Sequence, residues 1–217
     1  SAKEAAQVAD LAEVNAEVIT AAEGLGRFES ISEADLFDIE YWSLEQAKLG
    51  RAAERRLARH VVVVTGGGSG IGRATAEAFA AEGAEVAILD VDGAAAEASA
   101  ERFGGLGIAC DVTDARAVKR AFDRVSARFG GCDVVVSNAG AAWQGEIGTV
   151  GDAVLRKSFE LNFFAHQHVA QNAVRVMRAQ GLGGCLLFNV TKQALNPGPG
   201  FGPYGIAKAA TLALVRQ

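Results

Sequence analysis

Val61-Val62-Val63-Val64-Thr65 runs directly into Gly66-Gly67-Gly68-Ser69-Gly70-Ile71-Gly72, and an Ala-rich helical stretch follows. An apolar run without alternation suits a strand covered on both faces, the mark of a parallel sheet flanked by helices. The glycines fall as Gly66-x3-Gly70-x-Gly72. The first lets the chain turn sharply. The second removes side-chain bulk where a pyrophosphate would approach, and the third lets helix and strand pack closely. The free N–H groups at the start of the helix, with its positive dipole end, favour an anion there. A glycine string alone is equally a flexible turn; the strand before it and the helix after it favour a dinucleotide loop.

The same rhythm repeats through the rest of the chain. Short apolar runs bounded by Gly, Asp or Asn predict strands at 61–65, 85–90, 106–110, 132–137 and 184–190. Helical stretches are expected near 70–82, 93–103, 114–129 and 152–180, and a last one from Tyr204 through Gln217. Alternating βα units predict a doubly wound α/β fold over residues 60–217. Residues 1–59 differ in texture. Val8, Leu11, Val18 and Ile19 mark one helix that stops near Gly24 and Gly26. Ser32 and Asp35 mark the start of another, followed by Leu36, Ile39, Tyr41, Trp42 and Leu44. This front segment reads either as a helical extension packed on the body or on a second subunit, or as an interdomain linker.

Charge excludes some classes of partner. Residues 1–59 hold 12 acids and 7 bases, while residues 60–217 hold 14 of each. That balance gives no footprint for nucleic acid or an anionic membrane. No apolar run approaches the roughly 18 to 20 residues of a bilayer span, and the N-terminus lacks a signal pattern. Cys110, Cys132 and Cys185 lie far apart and read as small buried residues in a reducing, cytoplasmic compartment. The three histidines, His60, His166 and His168, are too few for a metal centre; the last two read as ordinary helix residues.

Asp90 closes the second strand, 18 residues beyond Gly72. A carboxylate there accepts hydrogen bonds from the adenosine ribose hydroxyls and repels a 2′-phosphate, so NAD is favoured over NADP. The other reading is a turn aspartate at a strand end, and Arg73 keeps NADP open. Tyr204 and Lys208 stand at i and i+4 and share a helix face. By themselves they are an ordinary surface pair.

Taken together, these motifs resemble the short-chain dehydrogenase/reductase family. The loop Gly66, Gly68, Ser69, Gly70, Ile71 and Gly72 is similar to its glycine motif, and Asp111-Val112 to its adenine-contacting pair. Asn138-Ala139-Gly140 is similar to its Asn-Ala-Gly segment, Asn162 to its helix asparagine, and Tyr204-x3-Lys208 to its signature. The resemblance implies a Rossmann fold and catalysis by Asn162, Thr191, Tyr204 and Lys208. Thr191 stands where the family places a serine, 13 residues before Tyr204. A nearby ammonium lowers a phenol pKa, and such a phenol moves a proton as hydride moves to or from nicotinamide. Lys208 would also hold the nicotinamide ribose, and Asn162 a water beside it. The family also implies a homo-oligomer paired through residues 152–180 and the tyrosine helix, and a chain that continues beyond Gln217 with more strands and a substrate lid.

A narrower resemblance follows. Asp35–Lys48 and Asn189–Tyr204 are similar to fused rhamnulose-1-phosphate aldolase/short-chain dehydrogenases. This implies fusion to an aldolase domain, a role in rhamnose metabolism and a small hydroxy-aldehyde or alcohol such as lactaldehyde as substrate. The alternative is a dinucleotide-binding oligomerisation scaffold without turnover.

Overall fold

A computed structural model describes residues 2–40, 55–146 and 148–217. It divides into two units, residues 1–55 and 56–217. In the first, α1 (Ala2–Leu25) and α2 (Glu33–Glu40) are helical. The Ser32 hydroxyl accepts the Asp35 N–H at 3.1 Å and donates to the Asp35 carboxylate at 2.7 Å, so the expected helix start is an N-cap. Val8, Leu11, Val14 and Val18 are exposed. Tyr41, Trp42 and Leu44 lie outside the described residues.

The second unit is built on β1 (Val61–Thr65), β2 (Glu85–Asp90), β3 (Leu106–Ala109), β4 (Val134–Ser137) and β5 (Cys185–Phe188). They form one parallel sheet in the order β3-β2-β1-β4-β5. The helices between them are α3 (Gly70–Ala81), α4 (Gly93–Glu101), α5 (Ala115–Phe129), α6 (Asp152–Phe159) and α7 (Ala165–Gln180), with α8 (Gly202–Val215) after β5. Strand side chains alternate between faces. Val61 and Val63 therefore join Val118, Phe122 and Val125 of α5 and Val169 of α7 in one core. Val62 and Val64 join Ala76 of α3 and Ala96 and Ala100 of α4 in the other. This double cover is why β1 carries no polar face. In α5, Val118, Ala121, Phe122, Val125 and Phe129 recur at helical spacing and are all buried.

Three local readings change. The long helix expected over 152–180 is broken by a π-turn at Glu160–Phe164, where the Ala165 N–H bonds the Glu160 carbonyl five residues back. The last helix starts at Gly202, with Pro203 in its first turn, and ends at Val215 rather than running to Gln217. Cys185 is exposed, unlike Cys110 and Cys132. It and Leu187 lie on the edge strand β5, opposite Val134 and Val136, on the face whose other strands α3 and α4 cover. Among the described residues no helix is long and apolar enough to cross a membrane.

Candidate active site

The chain winds outward through β1, β2 and β3, then returns to β4 on the other side of β1. The crevice at such a reversal, beyond the carboxyl ends of the strands, is where open α/β sheets bind ligands. Here it is a cavity of about 750 Å³, within the usual range for small-molecule sites.

The glycine turn forms one wall. Gly66 has φ 65° and its N–H donates to the Leu89 carbonyl at 2.7 Å. A Cβ at Gly72 would lie 2.1 Å from the Gly66 carbonyl oxygen, so helix and turn touch there without a side chain between them. Ser69 caps α3 without a side-chain bond, and no acid sits in the first turn. The first N–H groups of α3 therefore lack an intrahelical partner. A Cβ at Gly70 would meet no protein atom within 4 Å; it would project into space. These features fit a diphosphate.

Thirteen of the anticipated residues line the cavity: Gly66, Ser69, Gly70, Ile71, Gly72, Asp90, Asp111, Val112, Asn138, Ala139, Gly140, Tyr204 and Lys208. The other three lie behind its surface or beside it. The Gly68 N–H donates to the Asp90 carboxylate at 2.9 Å, and the Asp92 N–H donates to its other oxygen at 3.0 Å. The turn thus holds Asp90, and each carboxylate oxygen keeps a lone pair for a ligand. The Thr191 hydroxyl accepts the Gln193 N–H at 3.3 Å, starting a short 3-10 turn, Lys192–Ala194. Asn162 is fully buried. Its amide donates to the Ala141 carbonyl at 2.8 Å and accepts the Ala141 N–H at 3.2 Å. Its own carbonyl, in the π-turn, accepts the Thr211 hydroxyl. Asn162 therefore ties the loop after β4 to α8.

Asn138 is the knot of the site. Its N–H bonds the Thr65 hydroxyl at 2.9 Å, its amide donates to the Thr65 carbonyl at 3.0 Å, and its amide oxygen accepts from Asn189 at 2.9 Å. Asp111 accepts both the N–H and the hydroxyl of Thr113. At the mouth, the Lys157 ammonium lies 5.3 Å from the Trp143 ring centre.

Lys208 is 3% exposed. Its Nζ donates to the Asn189 carbonyl at 2.9 Å and lies 3.0 Å from His166 Nε2. Burial pushes its ammonium down to about 8. His166 is 1% exposed, and its Nδ1 lies 2.6 Å from the Ser137 hydroxyl. It is not an ordinary helix residue. The signal that finds it is its place four residues after Asn162, on the same helical path. Asn189 and Ser137 carry no such signal in the sequence, because they act across strands.

The depressed lysine pKa has a stability signature. Between about pH 8 and the ordinary lysine value of 10.5, the unfolded chain holds a proton that the folded chain has lost, so this group's unfavourable contribution is relieved as pH rises. Lys208→Met also loses the two lysine hydrogen bonds, so the pH dependence is the test: the stability of the parent relative to Lys208→Met is expected to rise as pH passes from 8 to 10.5. Urea unfolding of both proteins across that range checks it; a margin independent of pH would contradict it.

The short chain dehydrogenase family model matches residues 60–217. The chain belongs to the short-chain dehydrogenase/reductase family. This places it among the oxidoreductases whose family binds nicotinamide dinucleotides. The chain is 33% identical over 211 residues to the uncharacterized oxidoreductase YuxG of Bacillus subtilis, covering 92% of this chain and 30% of that protein. It is 35% identical over 165 residues to a sorbitol dehydrogenase of Cereibacter sphaeroides, covering 75% and 64%. A crystal structure of a short-chain dehydrogenase/reductase from Mycobacterium marinum superposes with a TM-score of 0.71 at 28% identity, covering 74% of this chain and 66% of that one. The chain thus spans less than two thirds of the length of each of these relatives. Residues 1–49 match a second family, the second domain of class II aldolases.

Proposed function

We propose that this short-chain dehydrogenase/reductase domain transfers a hydride between NAD and a small hydroxy-aldehyde or alcohol of lactaldehyde size. The observation that carries the reading is the meeting of Tyr204, Lys208 and the glycine turn on one crevice, with the lysine ammonium held from behind. NAD, when bound, supplies the hydride acceptor. Gly66, Ser69, Gly70, Ile71 and Gly72 would hold its diphosphate, Asp90 its adenosine ribose, and Asp111 and Val112 its adenine. Asn138, Ala139 and Gly140 would flank the nicotinamide side. Tyr204 would exchange the proton of the substrate oxygen, and Lys208, lining the same crevice, would bind the nicotinamide ribose. Thr191 orients the substrate oxygen with its hydroxyl, and Asn162 keeps the loop wall and α8 in register.

The aldolase-domain match at residues 1–49 and the 30% share of the longer YuxG chain support a natural protein in which an aldolase precedes this domain. An aldolase acting on a deoxysugar phosphate releases lactaldehyde, which supports that substrate and a place in rhamnose breakdown. We take the protein to be cytoplasmic and homo-oligomeric, with α6 to α8 at the subunit contact. The full-length protein, mixed with NAD and a panel of lactaldehyde and short polyols, is expected to produce NADH, followed by its near-ultraviolet absorbance. Dinucleotide binding without turnover on any of them would favour the scaffold reading.

The preference for NAD over NADP that we propose rests on Asp90, whose carboxylate lines the crevice and would meet the 2′ position of the adenosine ribose. Asp90→Asn is expected to narrow the ratio of kcat/KM for NAD to that for NADP by about tenfold or more, the scale of one charge-assisted hydrogen bond. Steady-state kinetics with both dinucleotides checks it. An unchanged ratio would remove Asp90 from cofactor choice.

A further inference from the structure

We infer that His166 is a positioning residue: a neutral imidazole that aims the Lys208 ammonium into the crevice, its own tautomer set by Ser137. The inference rests on the reading of Lys208 as the cation beside the cofactor and Tyr204.

The argument is one of donors and acceptors. A lysine ammonium has three N–H donors and no lone pair. At 3.0 Å from Lys208 Nζ, His166 Nε2 must therefore be the acceptor. Its proton is then on Nδ1, which donates to the Ser137 hydroxyl at 2.6 Å. The Asn189 carbonyl takes a second lysine donor at 2.9 Å. Among the described residues no other acceptor is in hydrogen-bond reach of Nζ, so the third donor remains for the crevice that Lys208 lines. Two fixed acceptors orient a tripod; one alone leaves it free to rotate about the remaining bond.

The three anchors come from separate elements. Ser137 ends β4, just before the Asn138-Ala139-Gly140 wall, His166 lies in the first turn of α7, and Asn189 follows β5. His166 thus couples the strand end to the lysine of α8. Its surroundings suit a permanently neutral ring. Phe188 packs beside it with ring centres 6.1 Å apart, and Lys208 is the charged group facing it. Burial first, and then the lysine charge, hold the imidazole down at about 3. A ring that stays neutral is an acceptor for Lys208 at every working pH.

The test uses the full-length protein with His166→Leu and His166→Gln; glutamine can put an amide oxygen where Nε2 sits, and leucine cannot. In the parent without cofactor, 15N NMR of His166 is expected to show the Nδ1–H tautomer, unprotonated down to pH 5. The Lys208 13Cε titration midpoint is expected to fall by roughly one pH unit in the leucine variant, since an ammonium acceptor is lost, and to return toward the parent in the glutamine variant. Turnover should fall by about tenfold or more with leucine, as expected for a misplaced site group, and recover with glutamine. An Nε2–H tautomer, or a Lys208 midpoint unmoved in a folded leucine variant, would overturn the inference. If the leucine variant does not fold, the tautomer and the glutamine titration still decide it. Turnover surviving in Tyr204→Phe would instead strike the functional reading and leave the NMR outcomes intact.

Discussion

Replacing Tyr204 with phenylalanine is expected to lower kcat for the protein's alcohol or aldehyde substrate by about three orders of magnitude, within the range of positioned proton transfer. The ring is kept and only the hydroxyl is lost, so the packing of α8 is preserved. Tyr204 is part-buried on the crevice, one helical turn before Lys208. The lysine donor left over by Asn189 and His166 faces the crevice that Tyr204 also lines. Dinucleotide affinity, followed by fluorescence titration, should stay within a few-fold of the parent, because the glycine turn and Asp90 are untouched. Loss of turnover with binding retained assigns the hydroxyl to chemistry. Equal turnover in both proteins would remove Tyr204 from the reaction.

Gly72→Ala should be the most damaging single methyl group in the domain's cofactor wall. The added carbon would lie 2.1 Å from the Gly66 carbonyl oxygen, 2.7 Å from its carbon and 2.6 Å from the Asn138 amide nitrogen. Two of these are backbone atoms of the turn itself, so no rotamer change relieves the contact. The helix must move away from β1, and Asn138 must let go of the Thr65 and Gly66 carbonyls. Overpacking of this kind costs about 3 kcal/mol, the upper part of its usual range, or about 10 °C in Tm for a domain of this size. Dinucleotide binding should be lost with it. Gly70→Ala separates the two effects. Its methyl meets no protein atom within 4 Å, yet the residue lines the crevice and has φ 52°. It should lose binding with a smaller fall in Tm, the strain of the left-handed backbone alone. A Gly72→Ala protein that melts and binds like the parent would contradict the geometry of the turn.

Much of the fold was legible because its causes are local. Strand positions followed from runs such as Val61–Val64, which no helix or exposed strand would carry. The glycine turn followed from residue types that only a tight approach requires. The π-turn at Glu160–Phe164 left no mark, since a wide turn differs from a regular one by a single hydrogen bond and not by composition. Cys185 looked like Cys132 in its apolar run. Cys132 sits in the core built with α5 and α7, whereas Cys185 is exposed on the edge strand. His166 looked like His168, two positions away. One is buried between Ser137 and Lys208, and the other is part-buried, with Nδ1 3.4 Å from the Val112 carbonyl. Thr191 could be counted to its position, but its hydroxyl's engagement with Gln193 could not.

By itself the sequence determined the parallel βα architecture, the turn that can receive a diphosphate and the Tyr204–Lys208 pair on one helical face, because burial patterns and short spacings are written residue by residue. Only the tertiary structure decided which groups surround that lysine. Hydrogen bonds reach about 3 Å and join Asn189, His166 and Ser137 from three different elements, so their meeting depends on how the sheet and helices pack and on no spacing along the chain.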